Sequence, residues 1–332
     1  QPTLCCKKLG RGAVAEDPHF VVVGGGTAGW ITAFIVQASL KRQRIPAKIT
    51  VVEPSKIPTV GVGEATTAAF NVFLRSFGID EFEFLKKTEA SFKLGIRHED
   101  WRRKGYTYYG PIDDPHQVVA APKGAPSDYL NVYAIAAGRS VEDMHMFGPL
   151  LKQWKAPYAL KDDGSLIRLG PFLHAFHFDQ ALVGRFLASK AQGVTIADGV
   201  VDSVTRDPQT GDLTAITLDS GETIAGDFFF DCSGFHKRII VKELNAPWVS
   251  YAHELPVNRA LPFWLPHDEA AGIPPYTRAW AQEAGWMWQI PTQTRFGCGY
   301  VYSDEFHTPE EAKLEVERVL GRRGRHPGPG LD

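Results

Sequence analysis

The chain has 332 residues, of which 44% are hydrophobic and 22% are charged, and its formal net charge is −2. This composition is typical of a globular protein with one large domain or two unequal ones. The small net charge gives no basic surface for nucleic acid or an anionic membrane, and no apolar run approaches the ~20 residues of a transmembrane helix. Cys5, Cys6, Cys232 and Cys298 fit neither a disulfide framework nor a zinc site, so we expect a cytoplasmic protein.

The predicted fold begins with a strand, a glycine turn, a helix and a second strand. Phe20 to Val23 is an apolar run that stops at three glycines. Apolar residues then recur at helical spacing from Trp30 to Ala38. A second apolar run, Lys48 to Val52, ends in Glu53. This order predicts a βαβ unit.

The middle of the chain has a mixed pattern. Residues 200–218 contain two β-rich runs, and Phe228 to Phe230 are predicted to form a buried strand. Glycine, proline and aromatic residues are dense between Gly105 and Gly170, which predicts irregular loops and short strands there. The expected fold class is therefore mixed α/β with an inserted β-rich region.

The last helix has a clear predicted start. Thr308, Pro309 and Glu311 fit the N-cap, first-turn and capping-box positions of a helix that should end at Gly321. The first 18 residues lack the apolar run of a secretory signal, and residues 321–332 lack apolar periodicity. We expect disordered tails at 1–18 and 321–332 around a domain at 19–320.

Gly24, Gly26 and Gly29 satisfy the pattern G-x-G-x-x-G of a dinucleotide-binding turn, with Thr27 and Ala28 before the last glycine. In that motif the first glycine forms the tight turn and the second lets the backbone approach a pyrophosphate. The third lets the helix and the strand pack closely. The preceding strand and the following helix make the match specific.

Two acidic residues indicate which dinucleotide binds. Glu53 ends the second strand, where it can accept hydrogen bonds from ribose hydroxyls. Asp231 to Gly234 follow a late strand, as in flavoproteins with two dinucleotide-binding motifs, where such an acid lies beside the ribityl chain. A helix N-cap or a structural acid in a turn is the other interpretation of Asp231. The pairing of the two motifs favours FAD over NAD.

Four further stretches make a specific match: Gly61 to Thr66, Ser91 to Ile96, Phe176 to Asp179, and GWMWQIP from Gly285 to Pro291. Together with GGGTAGW and DCSGF, they resemble the flavin-dependent halogenases of the tryptophan halogenase family over about residues 19–303. The resemblance implies a Rossmann-like FAD-binding fold with two dinucleotide-binding motifs. In that fold, residues 97–170 and 241–303 contribute the tunnel and the substrate side.

The resemblance also implies a two-component enzyme. A separate NAD(P)H-dependent flavin reductase supplies FADH2, which reacts with O2 to give a C4a-hydroperoxide. Chloride or bromide attacks that peroxide and forms hypohalous acid. The acid crosses a tunnel to a lysine beside an electron-rich aromatic substrate such as indole or tryptophan. We leave a homodimer open as the assembly state.

Lys93 stands where the family keeps that lysine. An ammonium there can hydrogen-bond hypohalous acid, and an amine can become a haloamine. The apolar neighbours of Lys93 favour a pKa lowered by desolvation. A surface lysine on a helix is the other interpretation from the sequence alone.

The loop with Gly63, Glu64 and Ala65 straps the isoalloxazine region in the family, and a solvated loop acid is the other interpretation of Glu64. His174 and His177 are three residues apart. No acidic residue or cysteine completes a metal-ligand set with them, so we expect structural histidines and no metal.

The two indoles of GWMWQIP have an implied role as a barrier. Trp286 and Trp288 alternate along a predicted strand that Pro291 ends, so they share one face. The resemblance places them near the flavin, where they would keep the organic substrate away while halide reaches the peroxide. Ordinary core filling is the other interpretation.

The sequence departs from the family in two ways. The family carries a catalytic Glu well beyond the double-tryptophan motif, followed by substrate-binding helices, and these 332 residues contain no such segment. We therefore expect this chain alone to halogenate poorly or not at all. Tryptophan-specific members carry His and Phe where this chain has Gly110 and Ile112. Free indole, a phenolic ring or a larger indole-bearing molecule fits as well as tryptophan.

Other functions remain open. An FAD-dependent aromatic monooxygenase shares the fold, but Lys93 and GWMWQIP argue against it, because hydroxylases need the substrate directly beside the flavin. A catalytically impaired flavin-binding fragment is a second alternative. A nicotinamide dehydrogenase has only the glycine fingerprint in its favour.

Overall fold

The computed structural model describes residues 17–56, 61–114, 122–126, 128–267 and 272–321. The chain divides into two compact units. Unit 1 contains Gln1–Ile57 and Leu187–Pro247, and unit 2 contains Pro58–Phe186 and Trp248–Asp332. Both predicted disordered tails fall largely outside the described residues, and the single domain at 19–320 stays a prediction.

Among the described residues, every α-helix is too short or too polar to span a bilayer. They are α1 (Thr27–Gln43), α2 (Ala68–Ser76), α3 (Glu81–Thr88), α4 (Tyr129–Ala136), α5 (Phe147–Gln153), α6 (Gln180–Lys190) and α7 (Pro309–Gly321).

The strands fall into five sheets. They are β1 (His19–Val23), β2 (Lys48–Glu53), β3 (Glu64–Ala65), β4 (Ser91–Lys93), β5 (Gly95–Glu99), β6 (Thr107–Pro111), β7 (Tyr158–Leu160), β8 (Leu166–Arg168), β9 (Ala175–Phe178), β10 (Thr195–Asp198), β11 (Val201–Arg206), β12 (Leu213–Leu218), β13 (Thr223–Ala225), β14 (Phe228–Asp231), β15 (Arg259–Pro266), β16 (Tyr276–Ala281), β17 (Gly285–Pro291) and β18 (Arg295–Tyr302).

Unit 1 is built on a parallel sheet with the strand order β10-β2-β1-β14. The predicted βαβ unit is confirmed, because β1, α1 and β2 follow one another and β1 pairs with β2. Val21 and Val22 are both fully buried, as expected for a strand covered on both faces. The antiparallel sheet β11-β12-β13 adds Ile216 and Leu218 to the same core.

One expectation for unit 1 was wrong. The strand that ends in Asp231 forms, but Phe228 at its start is 52% exposed rather than buried. The reason is its place in the sheet, since β14 lies at an edge with a single strand partner, β1. An edge strand is covered less completely than the central strands beside it.

Unit 2 contains a six-stranded sheet with the order β15-β18-β17-β16-β5-β6, in which only β16 and β5 run parallel. Helix α7 packs Ala312, Val316 and Leu320 against this sheet. The predicted capping box of α7 is confirmed. The Thr308 N–H donates to Glu311 Oε2 at 2.8 Å, and the Glu311 N–H donates to Thr308 Oγ1 at 3.2 Å.

The antiparallel sheet β3-β9-β4 positions the residues of greatest interest in unit 2. One face of β9 carries Phe176 and Phe178, which pack against Phe70 of α2 and Phe84 of α3. His177, between these two phenylalanines, points to the opposite face. Ser91 and Ala65 stand opposite His177, whereas Phe92 and Glu64 stand on the face of the two phenylalanines.

The segment between Gly105 and Gly170 contains more helix than the sequence predicted. Short strands are present, but so are α4 and α5. Helix α4 buries Leu130 and Ala134 while it leaves Tyr133 and other apolar side chains exposed. Because apolar residues also lie on the exposed side of α4, its sequence does not show the 3.6-residue alternation of apolar and polar positions that predicts a helix.

Candidate functional site

At two positions of the glycine turn between β1 and α1 in unit 1, neighbouring backbone atoms leave no room for a side chain. Gly24 has a φ of +115°, and a Cβ there would lie 2.2 Å from the carbonyl oxygen of Cys232. A Cβ on Gly29 would lie 1.8 Å from the carbonyl oxygen of Gly24. Both positions require glycine, as the tight-turn and packing roles of the motif demand.

The middle glycine of the motif is open. A Cβ on Gly26 would meet no described atom within 4 Å. Gly26 caps α1 without a side-chain hydrogen bond, and the first turn of the helix has no acidic residue. The buried Thr27 Oγ1 has no hydrogen-bond partner among the described residues. This end of α1 thus offers backbone N–H groups, a hydroxyl and a positive dipole end, which fit the pyrophosphate of a dinucleotide.

Glu53, at the end of β2, lies against the same turn. A Cβ on Gly25 would be 2.4 Å from Glu53 Cδ, and Trp30 Nε1 donates a hydrogen bond to Glu53 Oε2 at 3.3 Å. Burial raises the pKa of Glu53 more than the bond from Trp30 lowers it, and the charge of Asp198 adds to the increase. The carboxyl group is therefore partly desolvated beside the glycine turn, as hydrogen bonding to a ribose requires.

Asp231 makes extensive bonds within its own chain. Its Oδ1 accepts from the backbone N–H of Ser233 at 3.1 Å and from the hydroxyl of Ser233 at 2.5 Å. Its Oδ2 accepts from the N–H groups of Ile239 and Ile240, both at 2.8 Å. Burial raises the pKa of Asp231, but these hydrogen bonds outweigh burial and lower it overall. The geometry favours a structural acid that orders residues 232–240, and contact with a ribityl chain stays a prediction.

Replacing Asp231 by asparagine is expected to reduce the free energy of unfolding by about 1–3 kcal/mol, because a neutral amide accepts fewer and weaker bonds. The pKa of folded Asp231 lies below its unfolded value. The wild type should therefore lose this contribution only as the pH falls below about 4. Urea unfolding of wild type and D231N at pH 7 and pH 3.5 measures both effects. If the difference in the free energy of unfolding between wild type and D231N were equal at pH 7 and pH 3.5, Asp231 would not stabilise the fold as a carboxylate.

Lys93 in unit 2 is not a surface lysine. It ends β4, only 8% of the residue is exposed, and its Nζ donates a hydrogen bond to the carbonyl oxygen of Thr66 at 2.8 Å. Burial lowers the pKa of Lys93. A lowered pKa increases the fraction of the neutral amine, which is the nucleophilic form of lysine. A buried lysine of this kind can react with an electrophile.

His177 lies beside Lys93 on the same face of the small sheet. In the sheet register it stands opposite Ser91 of β4 and Ala65 of β3. Its Nε2 is 2.9 Å from Thr277 Oγ1, and its Nδ1 is 3.4 Å from Ser91 Oγ. Burial, and then the charge of Lys93, lower the pKa of His177 well below 6.5. The sequence predicts a structural histidine at position 177. Its place beside Lys93 depends on the register of β9 against β4, which the sequence does not show.

The loop that leads into β3 lies against the double-tryptophan strand and its neighbour. Gly63 has a φ of +78°, and a Cβ there would lie 3.2 Å from Ile290 Cγ2 and 3.4 Å from Gly297 Cα. The carbonyl oxygen of Gly61 accepts from Trp264 Nε1 at 2.8 Å and from Arg295 at 3.2 Å. The glycines at positions 61 and 63 therefore allow the loop to approach the sheet closely, as a strap requires.

Trp286 and Trp288 occupy one face of β17, and both are only partly buried. Their ring centroids are 6.4 Å apart at 60°, and Trp286 lies 6.1 Å from Trp101. The ring of Trp288 lies across Gly299, where a Cβ would be 2.0 Å from the indole. Met287, on the other face, is fully buried in the core with α7. Core filling on this strand is thus carried by Met287, and the role of the two indoles as a barrier stays a prediction.

Gly110 and Ile112 mark the place where the sequence departs from tryptophan-specific enzymes. Gly110 lies in β6 opposite Ile96, and a Cβ there would be 3.8 Å from His98 Nε2. Ile112 packs against the cluster that contains Leu94. Ile112 therefore belongs to a hydrophobic core, whereas Gly110 leaves open space beside an imidazole.

One group of possible metal ligands occurs within the described ranges: Glu283, His307 and Glu315. Glu315 accepts from the N–H of Glu283 at 3.0 Å and from the hydroxyl of Tyr300 at 2.5 Å, and lies 3.1 Å from His307 Nε2. These internal bonds account for the buried carboxylate of Glu315. His174 and His177 bond to separate partners, since His174 Nε2 lies 2.7 Å from Glu81.

Comparison with known proteins adds an independent finding. The family model described as tryptophan halogenase matches residues 19–327. The chain is 36% identical over 320 residues to a tryptophan 6-halogenase of Streptomyces toxytricini, which covers 91% of this chain and 60% of that protein. A 7-chloro-L-tryptophan 6-halogenase of a Kutzneria species is 36% identical over 324 residues, with 91% and 61% covered.

Solved structures give the same result. A flavin-dependent halogenase from Xanthomonas campestris is similar with a TM-score of 0.78 and 34% identity, covering 91% of this chain and 59% of that chain. The structure of the Streptomyces toxytricini enzyme has a TM-score of 0.80. The chain spans about three fifths of the length of these relatives.

Proposed function

The chain belongs to the tryptophan halogenase family, and on that premise we propose that it acts in flavin-dependent halogenation of an electron-rich aromatic ring. The family match bears out the resemblance seen in the sequence. The chain spans about 60% of the length of its relatives.

The buried Lys93 carries this proposal. Its ammonium has three hydrogens, and the carbonyl of Thr66 accepts one of them. The others can hydrogen-bond hypohalous acid and hold it beside an aromatic ring. The lowered pKa also makes the free amine accessible, which could take the halogen from hypohalous acid with release of water.

Unit 1 supplies the residues proposed to hold the dinucleotide part of FAD. The N–H groups at Gly26, Thr27 and Ala28 would bind the pyrophosphate, and Glu53 would bind the ribose of the adenosine. Bound as FADH2, the cofactor would supply the electrons that activate O2 toward chloride or bromide. FAD fits the space at Gly26, where a Cβ would meet no described atom within 4 Å, and the Thr27 hydroxyl, which has no hydrogen-bond partner among the described residues.

Further cofactor contacts rest on the family resemblance. The backbone of Gly63, Glu64 and Ala65 is proposed to strap the flavin ring, and the tight packing of Gly63 on Ile290 supports a fixed loop there. Contacts of Asp231 and Gly234 with the ribityl chain remain predictions.

An indole-bearing molecule is the proposed substrate class, with free indole, tryptophan and larger indoles as candidates. Gly110 leaves space where tryptophan-specific members carry a side chain, which supports a substrate wider than tryptophan. A separate flavin reductase is the proposed partner, and cytoplasmic location and a homodimer stay predictions.

Supplying the chain with FAD, NADH, a flavin reductase, bromide and a panel of indoles tests the proposal. The proposed function predicts a brominated product, which mass spectrometry detects even at a low yield. A hydroxylated product would instead support the monooxygenase. FAD binding without any product would support an impaired flavin-binding protein, and failure to bind FAD would overturn the cofactor assignment.

A further inference from the structure

A hydrogen-bonded chain of side chains surrounds His177 and has no role in the function proposed so far. Ser91 Oγ donates to the carbonyl oxygen of Pro291 at 2.6 Å, so its hydrogen is not available to the imidazole. Ser91 Oγ can only accept at the 3.4 Å contact with His177 Nδ1, and Nδ1 therefore carries the hydrogen. His177 Nε2 is then the acceptor, and the Thr277 hydroxyl donates to it at 2.9 Å.

Burial and the nearby charge of Lys93 favour a neutral imidazole in this arrangement. Protonation of Nε2 would remove the acceptor for the Thr277 hydroxyl. It would also place a second positive charge in a buried setting beside the ammonium of Lys93. Charge on His177 and charge on Lys93 therefore oppose one another.

The chain of contacts joins four strands of unit 2. It runs from Pro291 at the end of β17, through Ser91 on β4 and His177 on β9, to Thr277 on β16. Strand β4 also carries Lys93, two residues beyond Ser91 on the same face. Ser91 thus ties the strand of the lysine directly to the strand of the two tryptophans, and the imidazole of His177 ties Ser91 to Thr277 on β16.

We propose that His177 is a positioning residue for Lys93: as a neutral imidazole it fixes β4 against β16 through Ser91 and Thr277, and it keeps a second charge away from the ammonium. The role of Lys93 itself rests on the proposed function, whereas the coupling between His177 and Lys93 does not.

Other charges near His177 do not replace Lys93 as its partner. Burial and the positive charge of Lys93 lower the pKa of His177, and a hydrogen bond to the backbone of Phe92 raises it. The remaining charged side chains on the surrounding strands lie on other faces or bond elsewhere: Glu64 on β3, Arg278 on β16, Asp179 after β9 and Arg295 on β18.

The first test needs no halogenation. Unfolded His177 titrates near 6.5 and folded His177 below that value, so between the two the unfolded chain binds the extra proton. The free energy of unfolding should therefore fall as the pH drops below about 6.5. His177→Gln should remove most of that fall. Lys93→Met should reduce it, because removing the charge lets the pKa of His177 rise.

His174 provides the matched control, since it is equally buried but bonds to Glu81. Urea unfolding of wild type, H177Q, K93M, H177Q/K93M, H174Q and H174Q/K93M between pH 4 and 8 gives the comparison. In H174Q, the effect of Lys93→Met on the acid-side fall should persist. If Lys93→Met leaves that fall unchanged in the wild type, the coupling is absent and the proposal is wrong.

The second test uses the halogenation assay. His177→Phe keeps a ring but removes both hydrogen bonds, and we expect kcat to fall at least about tenfold with the KM of the indole unchanged. His177→Gln can still donate and accept, so it should keep kcat within about threefold of the wild type. Equal activity of all three proteins overturns the positioning role. If H177F does not fold, His177→Leu replaces it, with the same expected loss. If the wild type does not halogenate, the proposed function fails and the unfolding measurements still decide the coupling.

Discussion

Replacing Lys93 by alanine is expected to lower the halogenation rate by about a hundred- to a thousandfold, while FAD affinity and folding stay intact. The size of the loss is that of removing a positioned donor from a reaction centre. Folding should not suffer, because burial lowers the pKa of Lys93 and the side chain therefore destabilises the folded state when charged. Product formation is measured by mass spectrometry with bromide and an indole under saturating reductase.

The matched control is Lys87→Ala, since Lys87 is an exposed lysine on α3 of the same unit. This variant should halogenate as the wild type does. FAD affinity, followed by fluorescence, should be the same in all three proteins. Halogenation by K93A at the wild-type rate would show that the buried lysine is structural, and the assignment of Lys93 would be lost.

Two alanine substitutions in the glycine turn should have opposite consequences. Gly29→Ala drives a Cβ to 1.8 Å from the carbonyl of Gly24, so the strand and the helix must separate. We expect a loss of about 3 kcal/mol in the free energy of unfolding, at the upper end of the values for overpacked sites. Gly26→Ala meets no described atom within 4 Å and has an ordinary φ of −74°. Its stability should stay within about 0.5 kcal/mol of the wild type.

The same Gly26→Ala variant should weaken FAD binding by at least about tenfold, because its methyl group enters the space where the pyrophosphate would approach the backbone. Isothermal titration with FAD, together with urea unfolding, separates the two variants. An unchanged FAD affinity in a folded G26A protein would mean that the dinucleotide does not approach the turn at this glycine.

The parts of the fold that depend on local pattern were predictable from the sequence. The turn at Gly24 to Gly29, the strand that ends at Pro291 and the capping box at Thr308 all appear as expected. Each of them depends on residues within a few positions of one another.

The parts that depend on distant contacts were not predictable. The proposed role of His177 depends on its contacts with Ser91 and Thr277, which are 86 and 100 residues away in the sequence. Helix α4 was missed because its apolar residues are not confined to one face. Phe228 was expected to be buried, and only the strand order shows that it lies on an edge.

The bonds of Asp231 have a consequence for how fast a ligand can bind. Four donors from Ser233, Ile239 and Ile240 hold the segment after β14 through bonds within the chain itself. The conformational entropy of that segment is therefore lost when the chain folds and not when a ligand arrives. A ligand at this end of the parallel sheet meets a surface that is already ordered, so its association does not wait for a loop to close.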